Sequence, residues 1–335
     1  MVHVMKTREL SYELQNDRKN AVPRGINRMN ERIVEITPPD SAHVTSWLDS
    51  LSRRYGGWME MSEIGSSLLG RGIHAVHIGA HRRKVLYCGG VHGREWITSL
   101  LLLYFMEELL EACSRDTSIC GIRIRKMLES GGITFLPALN PDGIEISVTG
   151  AFLPGMEQHL GAVLPECCRS VECCRRWKAN AGGVDINRNF DAGWDDMRCI
   201  AMERGISGPS PEGWTGEYPV SEPETRAVTE LCERERFRHL IAFHSSGEEI
   251  YWNYRSFTPA RSHIMARILA VSSGYSLSEP DRSAGAAGLK DWFMEKYRAP
   301  AFTVEVGSGS SPLPLSGFRF IYNRLREMLV LGIAI

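Results

Sequence analysis

Long apolar runs are missing from this chain. No stretch reaches the roughly 20 apolar residues that a membrane span needs. The longest, around Leu100 to Phe105, runs straight into Met106, Glu107 and Glu108. Residues 1–20 are polar and hold no apolar core of signal-peptide length, so the expectation is a cytoplasmic protein with no membrane partner. An excess of one charge is also missing. Lys and Arg total 39 against 40 Asp and Glu, which argues against nucleic acid as the main partner. The nine cysteines lack zinc-knuckle spacing: Cys167–Cys168 and Cys173–Cys174 are adjacent pairs with no His following at finger distance. They read as reduced loop thiols of a cytosolic protein. Internal repeats and low-complexity tracts do not occur, and the sequence is silent on oligomeric state.

What is present is enough for a large core: 335 residues, 43% of them apolar. Residues 1–36 are polar and weakly periodic and read as a partly ordered appendage, which leaves 37–335 as the main domain. Pro38-Pro39-Asp40-Ser41 starts a helix that carries Val44, Trp47, Leu48 and Leu51 at helical spacing. Strand-like runs follow at Met59 to Ile64, Ile73 to Ile78 and Lys84 to Cys88, then a long buried helix from Trp96 to Cys113. Gly132 to Pro137 reads as a strand ending in the turn Asn140-Pro141-Asp142-Gly143. Residues 145–183 look like an excursion and 191–219 like a long surface loop. The last third alternates strand and helix, with strands at His239 to Phe243 and Phe302 to Val306. That alternation predicts an α/β fold with a mostly parallel sheet covered on both faces.

Three polar positions interrupt this pattern where chemistry is expected. His92-Gly93-Arg94-Glu95 follows the apolar run Val85 to Cys88, at a strand's carboxyl end, where α/β sheets place ligand sites. A His and a Glu three residues apart across a turn can share one ion, and both donor types suit zinc. With ten histidines and 40 acids, about one such pair arises by accident, so the spacing alone decides little. A capping turn with a dipole-favoured Glu would read the same. His244 ends another apolar run, Leu240 to Phe243, again at a carboxyl edge. Glu305 interrupts Phe302 to Val306, and a carboxylate in such a strand needs a charge partner, a metal or an altered pKa. Two His and one Glu around an ion with an open fourth position, plus a second Glu, form a hydrolytic arrangement. His74, His77 and His81 are structural or exposed in this reading, since residues three apart on a strand face opposite ways.

In that order the chain resembles the zinc carboxypeptidase family. The motifs are His92-Gly93-Arg94-Glu95, Asn140-Pro141-Asp142-Gly143, Asp185-Ile186-Asn187-Arg188-Asn189-Phe190, His244-Ser245 and Thr303-Val304-Glu305, and the likeness spans about residues 57–335. The resemblance implies a mixed, mostly parallel eight-stranded sheet between helices. It implies one zinc ion on His92, Glu95 and His244, and Glu305 as general base. It further implies that Asn187 and Arg188 grip a substrate's terminal carboxylate, a task suited to Arg's planar fork. Arg176-Trp177-Lys178-Ala179-Asn180 before Gly183-Val184-Asp185 looks most similar to bacterial γ-D-glutamyl-diamino acid peptidases, which cut peptidoglycan stem peptides. The expected partner is then a small peptide, such as a muropeptide.

The chain departs from the family pattern in three places. Lys178 stands seven residues before Asp185, where the resemblance implies an Arg for the oxyanion; lysine keeps the charge and loses the fork. Ser283 stands where the family has a flexible Tyr. Lys290, before Asp291-Trp292, falls at the floor of the side-chain pocket, where a buried cation would favour an acidic group in the substrate; a solvated helix lysine is the alternative. Two other readings share the fold: an amidohydrolase that deacylates N-acyl amino acids, and a non-catalytic binding module.

Overall fold

Pro38-Pro39-Asp40 does start a helix, the first among the described residues, α1 (Ser41–Tyr55). The Asp40 carboxylate accepts from the His43 amide at 2.8 Å and so satisfies one of the orphan N–H groups of the first turn. The computed structural model describes residues 31–160, 169–279 and 285–335. Within Val34–Ile335, β1 (Met59–Ser66), β2 (Gly72–Gly79) and β3 (Val85–Cys88) lead to α2 (Ile97–Ser114). A small hairpin of β4 (Ser118–Ile119) and β5 (Ile122–Arg123) precedes α3 (Ile124–Ser130) and β6 (Gly132–Leu136). Next come α4 (Pro141–Thr149), α5 (Met156–Leu160), α6 (Val171–Arg175), α7 (Trp194–Glu203) and α8 (Pro223–Glu235). The chain closes through β7 (His239–His244), β8 (Glu249–Tyr251), α9 (Ser262–Ser273), β9 (Ser276–Ser278), α10 (Leu289–Tyr297), β10 (Ala301–Glu305) and α11 (Phe318–Ala334).

Eight strands pair in the order β1-β2-β6-β3-β7-β10-β8-β9. The central run β6-β3-β7-β10 is parallel, whereas β1-β2, β2-β6 and β10-β8 are antiparallel, so the sheet is mixed as expected. Every residue of β3, β6 and β7 is buried, as parallel strands covered on both faces must be. The consequence for function is positional: the carboxyl ends of β3, β7 and β10 lie side by side at one edge of the core.

The structure corrects three local expectations. Asn140-Pro141-Asp142-Gly143 is the start of α4 rather than a free turn: Asn140 caps it by accepting from Gly143 N at 2.9 Å, and Pro141 occupies the first turn, where a missing N–H is harmless. The stretch 191–219 contains α7, whose buried stripe of Trp194, Met197, Ile200 and Ala201 is short and flanked by glycines, which hid its period. The excursion 145–183 is anchored by a small core of its own, with Ile146, Met156, Cys174 and Trp177 packed together. The strands β8 and β9 are too short, at three residues each, to show alternation. His77 bonds Thr134 and stacks on His81 with ring centroids 4.4 Å apart, away from any ligand role. Cys167, Cys168 and Ser283 lie outside the described residues. Among the described residues no helix is long and apolar enough to cross a membrane.

Candidate metal centre and active site

After β3 the backbone enters a 3₁₀ turn, Gly93–Glu95, that is pressed against two other segments. Gly93 N donates to Lys178 O at 3.1 Å and Arg94 N to Trp177 O at 2.7 Å, while Asn140 Nδ2 reaches Val91 O and Ala179 O. The approach is so close that a Cβ on Gly93 would lie 2.2 Å from the Gly143 carbonyl oxygen. Glycine is therefore required between His92 and Glu95, and this packing ties the two sequence motifs together.

The turn aims His92 and Glu95 at His244, on the carboxyl end of β7. Donor atoms of the three residues all lie within 4.8 Å of one another, the one such group among the described residues. Glu95 Oε1 is 2.9 Å from His92 Nδ1, and its Oε2 is 3.0 Å from His244 Nδ1 and accepts from Ser245 N at 3.1 Å. The two Nδ1 atoms stand 3.1 Å apart. All three residues are at most 4% exposed, which leaves polar donors crowded where only each other, or an ion, can satisfy them. Burial pushes the Glu95 carboxyl up, but the two imidazoles outweigh it and hold the group well below the usual range. The donor set, two imidazoles and a carboxylate, suits zinc with a position left open.

Asp185 has no role in the sequence reading beyond its place in a motif, yet the structure puts it behind His92. Its Oδ1 lies 3.1 Å from His92 Nε2 and its Oδ2 lies 3.6 Å from Lys178 Nζ. Ligating histidines use a carboxylate in this position to fix tautomer and ring orientation. Burial raises Asp185, but Lys178 and His92 prevail and keep it ionised. A buried Asp between Val184 and Ile186 was the available signal.

Glu305 ends β10 directly beside His244 and is partly open to the same cavity. Burial raises its carboxyl to about 7, with Glu95 adding to the effect and His244 and Lys178 opposing it. The cavity, about 380 Å³, is also lined by Lys178, Asn187, Arg188 and Lys290, so all eight sequence candidates meet in one place. Asn187 and Arg188 sit on a 3₁₀ turn, and Asn187 Oδ1 accepts from Leu289 N at 3.0 Å, which fixes that turn to α10. Lys290 is not a solvated helix lysine: it is 4% exposed, bonded to Asp291 and to Asn253 O.

With this geometry in view, the comparisons with known proteins agree. The family described as zinc carboxypeptidase matches residues 44–323. The chain belongs to the zinc carboxypeptidase family. Over 277 residues it is 32% identical to γ-D-glutamyl-L-diamino acid endopeptidase 1 of Lysinibacillus sphaericus, covering 82% of this chain and 67% of that one. It is 26% identical over 216 residues to human carboxypeptidase A6, covering 63% of this chain and 44% of the relative. The structure of bovine thrombin-activatable fibrinolysis inhibitor superposes with a TM-score of 0.69 at 21% identity, covering 89% of this chain and 97% of that one, which shows the shared fold. The family uses zinc, and this member is a metallopeptidase-type hydrolase whose His–Glu–His group can hold the ion.

Proposed function

We propose that this zinc carboxypeptidase-family member hydrolyses the bond between γ-D-glutamate and a diamino acid in peptidoglycan stem peptides, and that residues 37–335 form its catalytic domain. The observation that carries the catalytic part is the convergence of His92, Glu95 and His244 beside a partly open Glu305 in one cavity. The substrate class is supported by the name of the Lysinibacillus relative.

In this reading His92, Glu95 and His244 hold the zinc, with Asp185 orienting His92. When bound, the ion supplies Lewis acidity, polarising a carbonyl and lowering the pKa of water to about 7. Glu305 takes the proton of the attacking water and returns it to the leaving amine. Lys178, held at the cavity wall by Asp185, offers positive charge to the oxygen that becomes anionic. Arg188 and Asn187 bind a terminal carboxylate of the substrate.

Mass spectrometry of defined stem tripeptides and tetrapeptides, digested with the zinc-loaded protein, tests this. Release of the γ-D-glutamyl fragment is expected. Intact peptides after incubation with protein of verified zinc content would overturn it.

A further inference from the structure

Helices α9 and α11 pack side by side. Arg324, early in α11, donates to Ser273 O and Gly274 O at the end of α9, while Leu331, late in α11, shares a groove with Ile264, early in α9. The two helices therefore run antiparallel. The groove between them holds about 550 Å³. Ile264, Ile268 and Val271 stand at i, i+4 and i+7 on α9, and Glu327 and Leu331 at i and i+4 on α11, so each helix gives the groove one face. Phe320 extends the α11 face by two turns. Ile264, Val271 and Phe320 are 64%, 84% and 67% exposed. Single exposed apolar residues are ordinary, whereas a run of them along one groove marks an interaction surface.

The charges of the groove say what covers it. Arg267 and Glu327 both line it, so it carries one charge of each sign. Arg324 is engaged by Glu248 and Arg326 by Glu108, whereas Arg267 and Glu327 form no ion pair among the described residues. An acidic partner would set like charge against Glu327, and a basic partner would do the same to Arg267. A copy of the same surface does neither. About a twofold axis residue i meets j and j meets i, so each Arg267 can face the other copy's Glu327 while the apolar side chains of the two α9 helices cover one another.

We propose that the α9–α11 face is a homodimer interface, in which two copies of this chain pack groove to groove with reciprocal Arg267–Glu327 pairs. The helices are 12 and 17 residues long, about 18 Å and about 25 Å. That is a small face for a permanent dimer, so the association is reversible and depends on concentration. None of the groove residues lines the metal cavity, so substitutions in the groove leave the metal group in place.

Sedimentation velocity of the full chain, from about 1 μM to about 100 μM, is expected to show a monomer–dimer equilibrium. Val271→Asp puts a charge into the apolar seam and should leave only monomer across the series. Arg267→Glu and Glu327→Arg should each weaken dimerisation at least about tenfold, since the symmetry brings two like-charged pairs into contact. Mixed one to one, these two variants should associate again, because the mixed dimer restores both pairs of opposite sign. Two charges that acted only within one chain could not produce that recovery. Circular dichroism and zinc content equal to wild type are expected for all three variants. Monomer throughout the wild-type series would overturn the inference. A wild-type dimer that Val271→Asp leaves intact, or charge variants that fail to associate on mixing, would place the contact elsewhere and overturn it as well.

Discussion

Glu305 and His244 are register partners across the parallel pair β10–β7. The pairing continues beyond the strand, with Val306 N donating to His244 O at 2.8 Å, so backbone hydrogen bonds fix the spacing between the candidate base and a candidate ligand. A side-chain exchange at 305 should therefore leave the metal group in place. Glu305→Gln is expected to retain one zinc per chain by elemental analysis and to lower kcat by about 10²–10⁴, the usual worth of a general base. A variant with full zinc and near wild-type kcat would remove Glu305 from the chemistry. Wild-type protein stripped by a chelator should be inactive and regain activity with added zinc.

In the proposed reading Asp185 acts through His92 rather than on substrate. Asp185→Asn keeps the size and one hydrogen bond but loses the charge that fixes the imidazole, and support of this kind is worth about 10–100-fold in metal affinity or activity. The expected outcome is weaker zinc retention in a competition titration with a colorimetric chelator. An unchanged affinity would show that the contact is packing alone.

Gly93 has no room for a methyl group. A Cβ there would meet the backbone oxygens of Gly143 at 2.2 Å and Trp177 at 2.8 Å, and neither can yield as a flexible side chain could. Gly93→Ala should push the 92–95 turn off α4, destabilise the fold by about 1–3 kcal/mol as overpacking does, and reduce bound zinc. Thermal melts with and without zinc read both effects. A wild-type melt and full zinc content in Gly93→Ala would refute the close-packing account.

His244 and Glu305 could be read from the sequence because each ends a nearly pure apolar strand, where a polar residue is conspicuous, and His92 and Glu95 because they follow such a strand on the turn after β3. Glycine and asparagine in the 92–95 and 140–143 motifs were visible too, but their purpose was not, since the contact between Gly93 and Gly143 joins segments some fifty residues apart. The helix Trp194–Glu203 escaped because three turns of weak period sit among Gly and Pro, and tertiary packing of Trp194 and Met197 supplies what propensity does not. Lys290 was visible as a cation at the pocket floor. Its neutralisation by Asp291 was not, because adjacent residues on a helix do not normally face one another and only the cavity wall brings these two together.

Glu224, on α8 and away from the cavity, gives a pH dependence of stability. It is fully buried, with Oε1 accepting from Leu68 N at 3.2 Å and Oε2 from Asn180 Nδ2 at 3.2 Å. Burial lifts its carboxyl to about 8, and the charges of Glu222 and Asp142 add to the effect against the Asn180 hydrogen bond. Folded protein thus holds this proton up to about pH 8, whereas the unfolded chain releases it near 4.5. Between those values the native state binds more protons, so stability falls as pH rises through the window, by at most about 5 kcal/mol for this one group. Glu224→Gln keeps an acceptor for Leu68 N and has no proton to lose. Its Tm should change less than that of the wild type between pH 5 and pH 8, although its amide nitrogen faces the Asn180 donor and lowers its Tm by a constant amount. Parallel Tm profiles for the two proteins across that range would show that Glu224 ionises in the fold at little cost.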